Sequence, residues 1–347
     1  MAGEPPRVEI GVIGTPPTPE QLAPRELPET VLINLTRLCN LWCTHCYYPE
    51  VTRERERRQA AGEPRPPMFL PVEVFRAVAD EMAAWDPPAV LRVLADGEPL
   101  IHPQAVEMIA YAKARGVPAA LTTNGTPLTP RIAGRLLDSG IDAIDISIDA
   151  ATAETFAKVR GSRTGANFYS LVERNVRGLI AARNALSPRP PTRIIVNMID
   201  QPLAHGEAQE FIAKWKGYGA DVVLVRPFHS TSGQTLQVGV ATARPPVGRF
   251  PCKYPFTRLN VGFDEHAHPV VYYCSHDWTE KSVVGILGKD GTLRDIWRGP
   301  QMAEIRRRHL ANDYPPDSFC GPCPDWYLGW GKSHQGLVAR PETSPRT

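Results

Sequence analysis

Short apolar runs alternate with amphipathic runs between residues 31 and 226. Six apolar runs rich in β-branched residues predict buried strands at 31–35, 90–94, 117–122, 143–148, 193–198 and 221–226. Apolar residues at helical spacing predict helices between them, at 71–84, 103–116, 131–140, 168–184 and 206–219. Strands that alternate with helices form parallel β/α units, which place functional side chains at the carboxyl ends of the strands. The pattern therefore predicts an α/β fold.

The alternation of strand-like and helix-like runs ends at about residue 245. The runs "LNVGF" and "VVYYC" flank "DEHAH" and predict a hairpin, which is followed by the amphipathic helix "QMAEIRRRHLAND" and a cysteine-bearing loop. Alternating charges with no apolar face in 49–67 predict a solvated loop over the site. Proline and charged residues predict loosely ordered ends. The resulting division is a Pro-rich extension, a main domain, a smaller domain and a tail, at 1–28, 29–240, 245–328 and 329–347.

Composition and charge narrow the classes of partner. The chain has 39 Lys and Arg against 37 Asp and Glu, a formal net charge of +2, which gives no reason to expect nucleic acid or an acidic membrane surface as a partner. No window approaches the 18 or more apolar residues of a membrane span, and the N-terminus lacks the pattern of a secretory signal. We therefore expect a cytoplasmic protein without a membrane or nucleic-acid partner.

Three cysteines stand close together in "LCNLWCTHCYYP", directly after the first predicted strand: Cys39, Cys43 and Cys46. In a reducing compartment, clustered cysteines indicate metal binding or catalysis ahead of disulfides. A structural zinc site usually takes four ligands. Three thiolates bind three irons of a [4Fe–4S] cube and leave the fourth iron open to a small molecule. A structural zinc loop or a coincidental spacing is the alternative.

The C-x3-C-x2-C pattern after the first strand resembles that of the radical SAM superfamily, and four later motifs agree with it: "DGEP" at 96–99, "TTNG" at 122–125, "SID" at 147–149 and "KVRG" at 158–161. In that family the open iron is chelated by the amino and carboxylate groups of S-adenosylmethionine (SAM). Reduction then yields a 5′-deoxyadenosyl radical, which abstracts a substrate hydrogen. The resemblance covers residues 29–240 and implies a partial (β/α)6 TIM-like barrel.

The resemblance also implies contacts to SAM. His45 takes the position near the adenine, Glu98 receives the methionine amino group beside Gly97, and Arg160 is a partner for the SAM carboxylate. Positions that face methionine and ribose are Asn124, Ser147 and Asp149. Alone, each of these residues is equally well explained as a helix cap, a helix-terminal charge or a surface residue. The interpretation therefore depends on their combination, in which each motif follows the next predicted strand. Asp96 departs from the family, which has glycine there.

Four more cysteines lie in the second half of the chain: Cys252, Cys274, Cys320 and Cys323. Four thiolates close a cube fully, which suits electron transfer or structure. The order of features resembles the SPASM and twitch domains of radical SAM enzymes, in the one-cluster twitch form. This resemblance implies a small α+β C-terminal auxiliary cluster domain, and two [4Fe–4S] clusters with SAM as the cofactors. A four-thiolate zinc site is the alternative.

A second cluster suggests that the substrate radical loses an electron. We therefore expect a dehydrogenase of a small polar substrate, namely a sugar, aminocyclitol or nucleoside, which takes electrons from a flavodoxin or ferredoxin. This resembles the twitch enzymes that oxidise aminocyclitols or sugars in antibiotic biosynthesis. The alternatives are a radical decarboxylase or epimerase, an enzyme that modifies ribosomal peptides, and a non-catalytic iron–sulfur protein.

Polar side chains at the ends of the strands are candidates for contacting the substrate. Arg226 is a partner for a carboxylate and His229 is the better candidate base, since the ordinary pKa of histidine is about 6.5. Asn197 and His102 are further candidate contacts. A hydrogen-bonded structural histidine is the competing interpretation of His229.

Overall fold

The computed structural model of the chain describes residues 7–10, 16–94, 96–228, 230 and 248–330. In these residues ten strands form one sheet in the order β1-β7-β6-β5-β4-β3-β2-β8-β9-β10. The strands are β1 (Arg7–Ile10), β2 (Thr30–Asn34), β3 (Val90–Leu94), β4 (Ala119–Thr123), β5 (Ala143–Ser147), β6 (Arg193–Asp200), β7 (Val222–Pro227), β8 (Arg258–Phe263), β9 (Pro269–Tyr272) and β10 (Val283–Ile286).

Helices connect the strands and cover one face of the sheet. They are α1 (Tyr48–Ala60), α2 (Val72–Ala83), α3 (Ala105–Ala114), α4 (Pro130–Asp138), α5 (Ala153–Val159), α6 (Tyr169–Ala185), α7 (Ala208–Tyr218), α8 (Tyr254–Thr257), α9 (Leu293–Arg298) and α10 (Pro300–Ala311). The parallel strands β2 to β7 each pair with the next along the chain. The predicted α/β fold, a partial barrel with a C-terminal domain, is confirmed.

The two faces of the strands have different neighbours because side chains alternate along a strand. One set of positions, such as Val31, Val93 and Ile146, joins the main core with the apolar faces of the helices. The other set faces the inside of the barrel. Its residues near the amino ends of the strands form a separate apolar cluster of Val90, Ala120, Ala143, Ile195 and Val222. Polar residues follow this layer toward the carboxyl ends, which is where the predicted site lies.

Residues 7–10, which the sequence analysis assigned to the Pro-rich extension, are part of the sheet. They form β1, which pairs in parallel with β7 from Arg7 opposite Val222 to Ile10 opposite Val225. A strand at the edge of a sheet presents unpaired backbone groups, so even a short segment gains hydrogen bonds by lying beside it. Sequence pattern did not indicate this pairing because only four residues take part.

The segment predicted as a solvated loop over the site is helix α1 in part. Its alternating charges pair at helical spacing, as in Arg53–Glu50 at 2.9 Å and Arg57–Glu54 at 2.5 Å. Such pairs support an exposed helix that lacks an apolar face. The helix occupies the predicted place over the site, but with a regular backbone.

The C-terminal hairpin extends the barrel sheet. Strand β8 pairs in parallel with β2, from Arg258 opposite Thr30 to Val261 opposite Ile33. Strands β9 and β10 follow in antiparallel pairing. The predicted hairpin is therefore present, and it adjoins the first strand of the barrel. Among the described residues, no helix is long and apolar enough to cross a membrane.

Candidate active site

The three-cysteine loop follows β2 and is held by backbone hydrogen bonds to the end of α5. The amide of Trp42 donates to the carbonyl of Gly161 at 2.6 Å, and that of Thr44 donates to the carbonyl of Val159 at 2.9 Å. The hydroxyl of Tyr48 meets the backbone of Cys39, accepting from its N–H at 2.9 Å. These contacts give the loop a defined shape independently of its thiols.

The three thiols are partly or fully buried. Backbone N–H groups approach two sulfurs: Leu41 lies 3.5 Å from Cys39 Sγ, and Tyr48 lies 3.4 Å from Cys46 Sγ. Burial raises the pKa of Cys46 to about 12 in the metal-free chain, while the Tyr48 amide and Arg160 act in the opposite direction. Such donors stabilise a sulfur that carries negative charge. Three thiols in one loop fit three irons of a [4Fe–4S] cube.

Gly97 brings the second motif against the cysteine loop. A Cβ atom at this position would lie 1.9 Å from the carbonyl oxygen of Leu38. The next residue, Glu98, donates its backbone N–H to that same oxygen at 2.7 Å. Only glycine permits this approach.

Gly97→Ala is therefore expected to displace the loop that carries Cys39. Overpacking of this kind costs roughly 1–3 kcal/mol of stability, and we expect at least about tenfold weaker SAM binding because a 1.4 kcal/mol change corresponds to a factor of ten. Thermal unfolding and equilibrium dialysis of SAM measure the two effects. Gly134→Ala is a matched control, because its added methyl group would meet no atom within 4 Å. Equal SAM binding by wild type and Gly97→Ala would show that this approach is unnecessary.

Glu98 is a buried carboxylate that joins the second and third motifs. Its Oε1 accepts from the Thr123 hydroxyl at 2.7 Å, and its Oε2 accepts from the Asn124 backbone N–H at 2.7 Å. Burial raises the pKa of Glu98 to about 6 even though these donors act to lower it. The Asn124 side chain reaches Asn40 Oδ1 at 3.0 Å and Cys39 Sγ at 3.9 Å. The two predicted cofactor residues Glu98 and Asn124 are thus brought together beside the first cysteine.

A second buried carboxylate, Asp149, organises the other side of the loop. It has a positive φ of 59°, and its Oδ2 accepts from Arg160 Nε at 2.7 Å and Nη2 at 2.6 Å. His45 Nε2 lies 3.4 Å from the same oxygen. Burial favours a raised pKa for Asp149, but the charges of Arg160 and His45 hold it below its usual range. Three predicted cofactor residues therefore form one cluster, in which Arg160 is paired with Asp149 and also lies within electrostatic range of Cys43.

The inside of the barrel holds a polar network around Asp145. Its Oδ2 accepts from Arg92 on β3 at 2.5 Å and from Arg226 on β7 at 2.9 Å. The side chain of Asn197 donates to Asp145 Oδ1 and to Ser147 Oγ, the latter at 3.2 Å. Arg226 and Asn197 were expected to contact substrate, and here they contact a buried carboxylate, with the Arg226 side chain 30% exposed.

The structure describes one of the two candidate histidines, His102. His229 lies outside the described residues. His102 is buried, with Nε2 3.1 Å from the Leu70 carbonyl and Nδ1 accepting from the Gln104 amide at 3.1 Å. Both of its ring nitrogens therefore have partners within the protein, so His102 has a structural role.

The second cysteine set gathers from three separate segments. Cys274 is buried, and its thiol lies within electrostatic range of Cys252, Cys320 and Cys323. Backbone amides of Tyr254 and His276 are hydrogen-bonded to the thiols of Cys252 and Cys274. None of the seven cysteines forms a disulfide. Four thiols, two of them with amide donors, fit a closed cube. Within the described ranges no three His, Cys, Asp or Glu side chains converge tightly enough to hold a single ion.

The loop that carries the last two cysteines is secured by Arg249. The guanidinium donates to the carbonyl of Cys320 at 2.6 Å and to that of Gly321 at 2.9 Å. It also lies 3.7 Å from the centre of the Tyr314 ring. A Cβ on Gly321 would stand 2.5 Å from the carbonyl oxygen of Pro315, so this turn too requires glycine. Arg249 therefore supplies both structural support and positive charge at the second cysteine set.

A pocket of about 260 Å³ is lined by Cys274 of the second cysteine set and by Tyr47, the residue after Cys46. Helix α1 and the hairpin of β8 and β9 form its walls. Its lining residues include Arg37, Tyr47, Arg55, Asp96, Cys274 and Trp278. The rings of Tyr47 and Trp278 are stacked, with centroids 6.1 Å apart. The pocket thus runs from the residue after Cys46 to Cys274 itself.

Asp96 is a pocket residue that the sequence analysis did not include among the candidate site residues. Its Oδ1 accepts from the Tyr47 hydroxyl at 2.5 Å and from the Asn34 side chain at 3.1 Å. No described residue donates a hydrogen bond to its Oδ2. Burial raises the pKa of Asp96, although Tyr47, Arg37 and Arg55 act to lower it. The sequence contained one indication that Asp96 is unusual: it is the first residue of "DGEP", where the family has glycine.

The chain is similar to known proteins in sequence and in fold. The AdoMet-dependent heme synthase of Methanosarcina barkeri (strain Fusaro / DSM 804) is 33% identical over 167 residues, which are 48% of this chain and 42% of that protein. The crystal structure of BtrN in complex with AdoMet and 2-DOIA has a TM-score of 0.55 at 14% identity, covering 87% of this chain and 94% of BtrN. Streptococcus suis SuiB bound to precursor peptide SuiA has a TM-score of 0.59 at 11% identity, covering 92% of this chain and 74% of SuiB. The two structural likenesses concern the fold.

The family model of the Radical SAM superfamily matches residues 33–212, which contain the three-cysteine loop and the motifs around Glu98, Asn124, Asp149 and Arg160. This stretch comprises more than half of the chain. Members of the family hold a [4Fe–4S] cluster and SAM, which agrees with the thiols and carboxylates that meet at the carboxyl ends of β2 to β5. The chain therefore belongs to the Radical SAM superfamily.

Proposed function

We propose that this protein is a radical SAM dehydrogenase of a small polar molecule. Cys39, Cys43 and Cys46 hold the first cluster, and the residues around Glu98, Asn124, Ser147, Asp149, Arg160 and His45 surround SAM. Cys252, Cys274, Cys320 and Cys323 hold a second cluster. When bound, these groups supply a 5′-deoxyadenosyl radical at one end and a one-electron acceptor at the other.

The pocket that is lined by Tyr47 and Cys274 is the observation that carries the proposal. Its 260 Å³ volume suits a metabolite such as a sugar, an aminocyclitol or a nucleoside. Guanidinium and carboxylate groups around it, including Arg37 and Asp96, can hydrogen-bond hydroxyl and amino groups. Because the pocket is lined by Cys274, a molecule bound there lies beside the second cluster.

Asp96 has the position of a proton acceptor in this pocket. Oxidation of a CH–OH group to a ketone removes a hydrogen atom from carbon, a proton from oxygen and one further electron. Asp96 Oδ2 can take the proton, because Tyr47 and Asn34 hold the carboxylate through Oδ1. An iron–sulfur cluster held by Cys252, Cys274, Cys320 and Cys323 would accept the remaining electron.

The fold of BtrN supports the proposal, since that structure contains AdoMet and 2-DOIA and matches most of both chains. We propose a flavodoxin or ferredoxin as the electron donor. We also propose the cytoplasm as the compartment, because both cysteine sets need reduced thiols. Antibiotic biosynthesis is the proposed context. The chain spans less than half of the length of the Methanosarcina barkeri heme synthase that it matches, so its substrate is a proposal.

Peptide modification is the second candidate function. SuiB binds precursor peptide SuiA in a fold that matches 92% of this chain. A peptide would have to enter the pocket with one side chain.

Anaerobic assay with dithionite, SAM and panels of aminocyclitols, sugars, nucleosides and peptides separates the candidates by product mass. Loss of two hydrogens from a small molecule supports the proposal. Loss of carbon dioxide, inversion without a mass change, or change on a peptide contradicts it.

The variant Cys320→Ala is expected to keep SAM cleavage and to stop oxidation of the substrate. Its first cysteine loop is intact, while the second cluster loses a ligand. Iron analysis is expected to fall from about eight irons per chain to about four, and 5′-deoxyadenosine still forms. Normal turnover by this variant would show that the second cluster is not the electron acceptor. A wild-type content of about four irons with one zinc would support the zinc alternative.

A further inference from the structure

Tyr273 connects two of the segments that carry the second cysteine set. It follows β9 and directly precedes Cys274, and its side chain is buried. Its hydroxyl oxygen lies 3.4 Å from Cys320 Sγ. One residue is therefore linked by the chain to one thiol and by a hydrogen bond to another.

The direction of this hydrogen bond follows from the chemistry of the ligand. A thiolate bound to iron carries no proton, so the tyrosine hydroxyl must be the donor. Hydrogen bonds to the sulfurs of an iron–sulfur cluster are among the factors that set its reduction potential. Donation of positive hydrogen toward the sulfur favours the reduced cluster, because that state carries more negative charge.

The neighbouring Arg249 acts in the same direction. Its guanidinium is bonded to the carbonyls of Cys320 and Gly321, which places a positive charge beside the sulfur that Tyr273 contacts. Tyr272 provides the contrast. Side chains alternate along the strand, and Tyr272 lines the pocket with Asp96 instead of contacting a described thiol. The two adjacent tyrosines therefore face different sites.

We propose that the Tyr273 hydroxyl, through its hydrogen bond to Cys320, raises the reduction potential of the second cluster and so makes it a better electron acceptor for substrate oxidation. Tyr273 is a positioning residue in this role, since it acts through Cys320. This inference rests on the proposed function, because it requires that the four cysteines hold an iron–sulfur cluster.

The test is an anaerobic redox titration followed by electron paramagnetic resonance. It uses the Cys43→Ala background, so that only the second cluster contributes. Tyr273→Phe is expected to lower the equilibrium constant for reduction about tenfold, a potential about 59 mV lower for one electron, with iron content unchanged. Tyr272→Phe is the matched control and is expected to leave the potential unchanged. An unchanged potential in Tyr273→Phe, or an equal shift in Tyr272→Phe, overturns the inference.

A second measurement does not depend on the removal of the hydroxyl. Incorporation of 3-fluorotyrosine at position 273 keeps the ring and provides a stronger hydrogen-bond donor. We expect the potential to rise, and an unchanged or lower potential overturns the inference. Failure of the proposed function gives a different result: zinc or no metal at the second cysteine set, with no cluster signal in the Cys43→Ala background.

Discussion

Cys43→Ala is expected to abolish SAM cleavage and to leave about four irons per chain, those of the proposed second cluster. Cys43 is the buried member of the three-cysteine loop, and it lies within electrostatic range of both Arg160 and Asp149. In the proposed first cluster, this substitution removes one of the three thiolate ligands. The absence of 5′-deoxyadenosine after reduction with dithionite, together with iron and sulfide analysis, measures the effect.

Cys320→Ala is the reciprocal control, because it also leaves about four irons but retains the site of SAM cleavage. The two variants therefore have equal iron contents and opposite abilities to form 5′-deoxyadenosine. Formation of that product by Cys43→Ala at the wild-type rate would remove the three-cysteine loop from the chemistry.

Asp96→Asn is expected to slow substrate oxidation by about 10²–10⁴-fold, the usual contribution of a general base. Asparagine has the same shape and can still accept from Tyr47 and Asn34, but it cannot accept a proton. We expect SAM binding and 5′-deoxyadenosine formation to stay within about twofold of wild type, a change below 1.4 kcal/mol. Product formation and 5′-deoxyadenosine formation are measured together, so that the ratio of the two reports the uncoupling.

The pH profile provides a second readout for Asp96. The carboxylate must be ionised to take a proton, so oxidation in the wild type increases as pH rises through the raised pKa of Asp96. This pH dependence is expected to disappear in Asp96→Asn, with the groups facing it, Tyr47, Arg37 and Arg55, left unchanged.

Glu280→Gln is the matched control for Asp96→Asn. Glu280 lines the same pocket and is 3.7 Å from Arg37, with its side chain 49% exposed. This substitution also removes one negative charge, but it leaves the proposed proton acceptor in place. Equal losses in both variants would indicate a general effect of charge, and an unchanged pH profile in Asp96→Asn would exclude Asp96 as the base.

Much of the candidate cofactor site could be predicted because its residues lie in local motifs. Cys39, Cys43 and Cys46 are within one loop, and Glu98, Asn124 and Asp149 each follow a strand whose apolar pattern is clear. Parallel strands bring their carboxyl ends to one edge, so short motifs far apart in sequence meet there. The observed links from Glu98 to Asn124 and from Asn124 to Cys39 agree with this expectation.

The sequence did not predict which residues the individual charged side chains contact. Arg226 was expected to face a carboxylate on the substrate, yet it pairs with Asp145, a residue 81 positions away. Asp96 was noticed only as a departure from a motif. Its pocket depends on α1 and on the hairpin that closes over it, and neither the helical state of α1 nor the pairing of β8 with β2 follows from local pattern.

By itself, the sequence determined the α/β class, the six central strands, the three-thiol loop and the motifs of the Radical SAM superfamily. Periodic burial and short-range spacing encode those features within a few residues of each other. Tertiary structure alone decided that β1 joins the far edge of the sheet, that Arg160 pairs with Asp149, and that Tyr273 reaches Cys320. Pairings of this kind depend on which surfaces remain unpaired after the barrel has formed, because hydrogen bonds and charges are satisfied by whichever partner folding brings near.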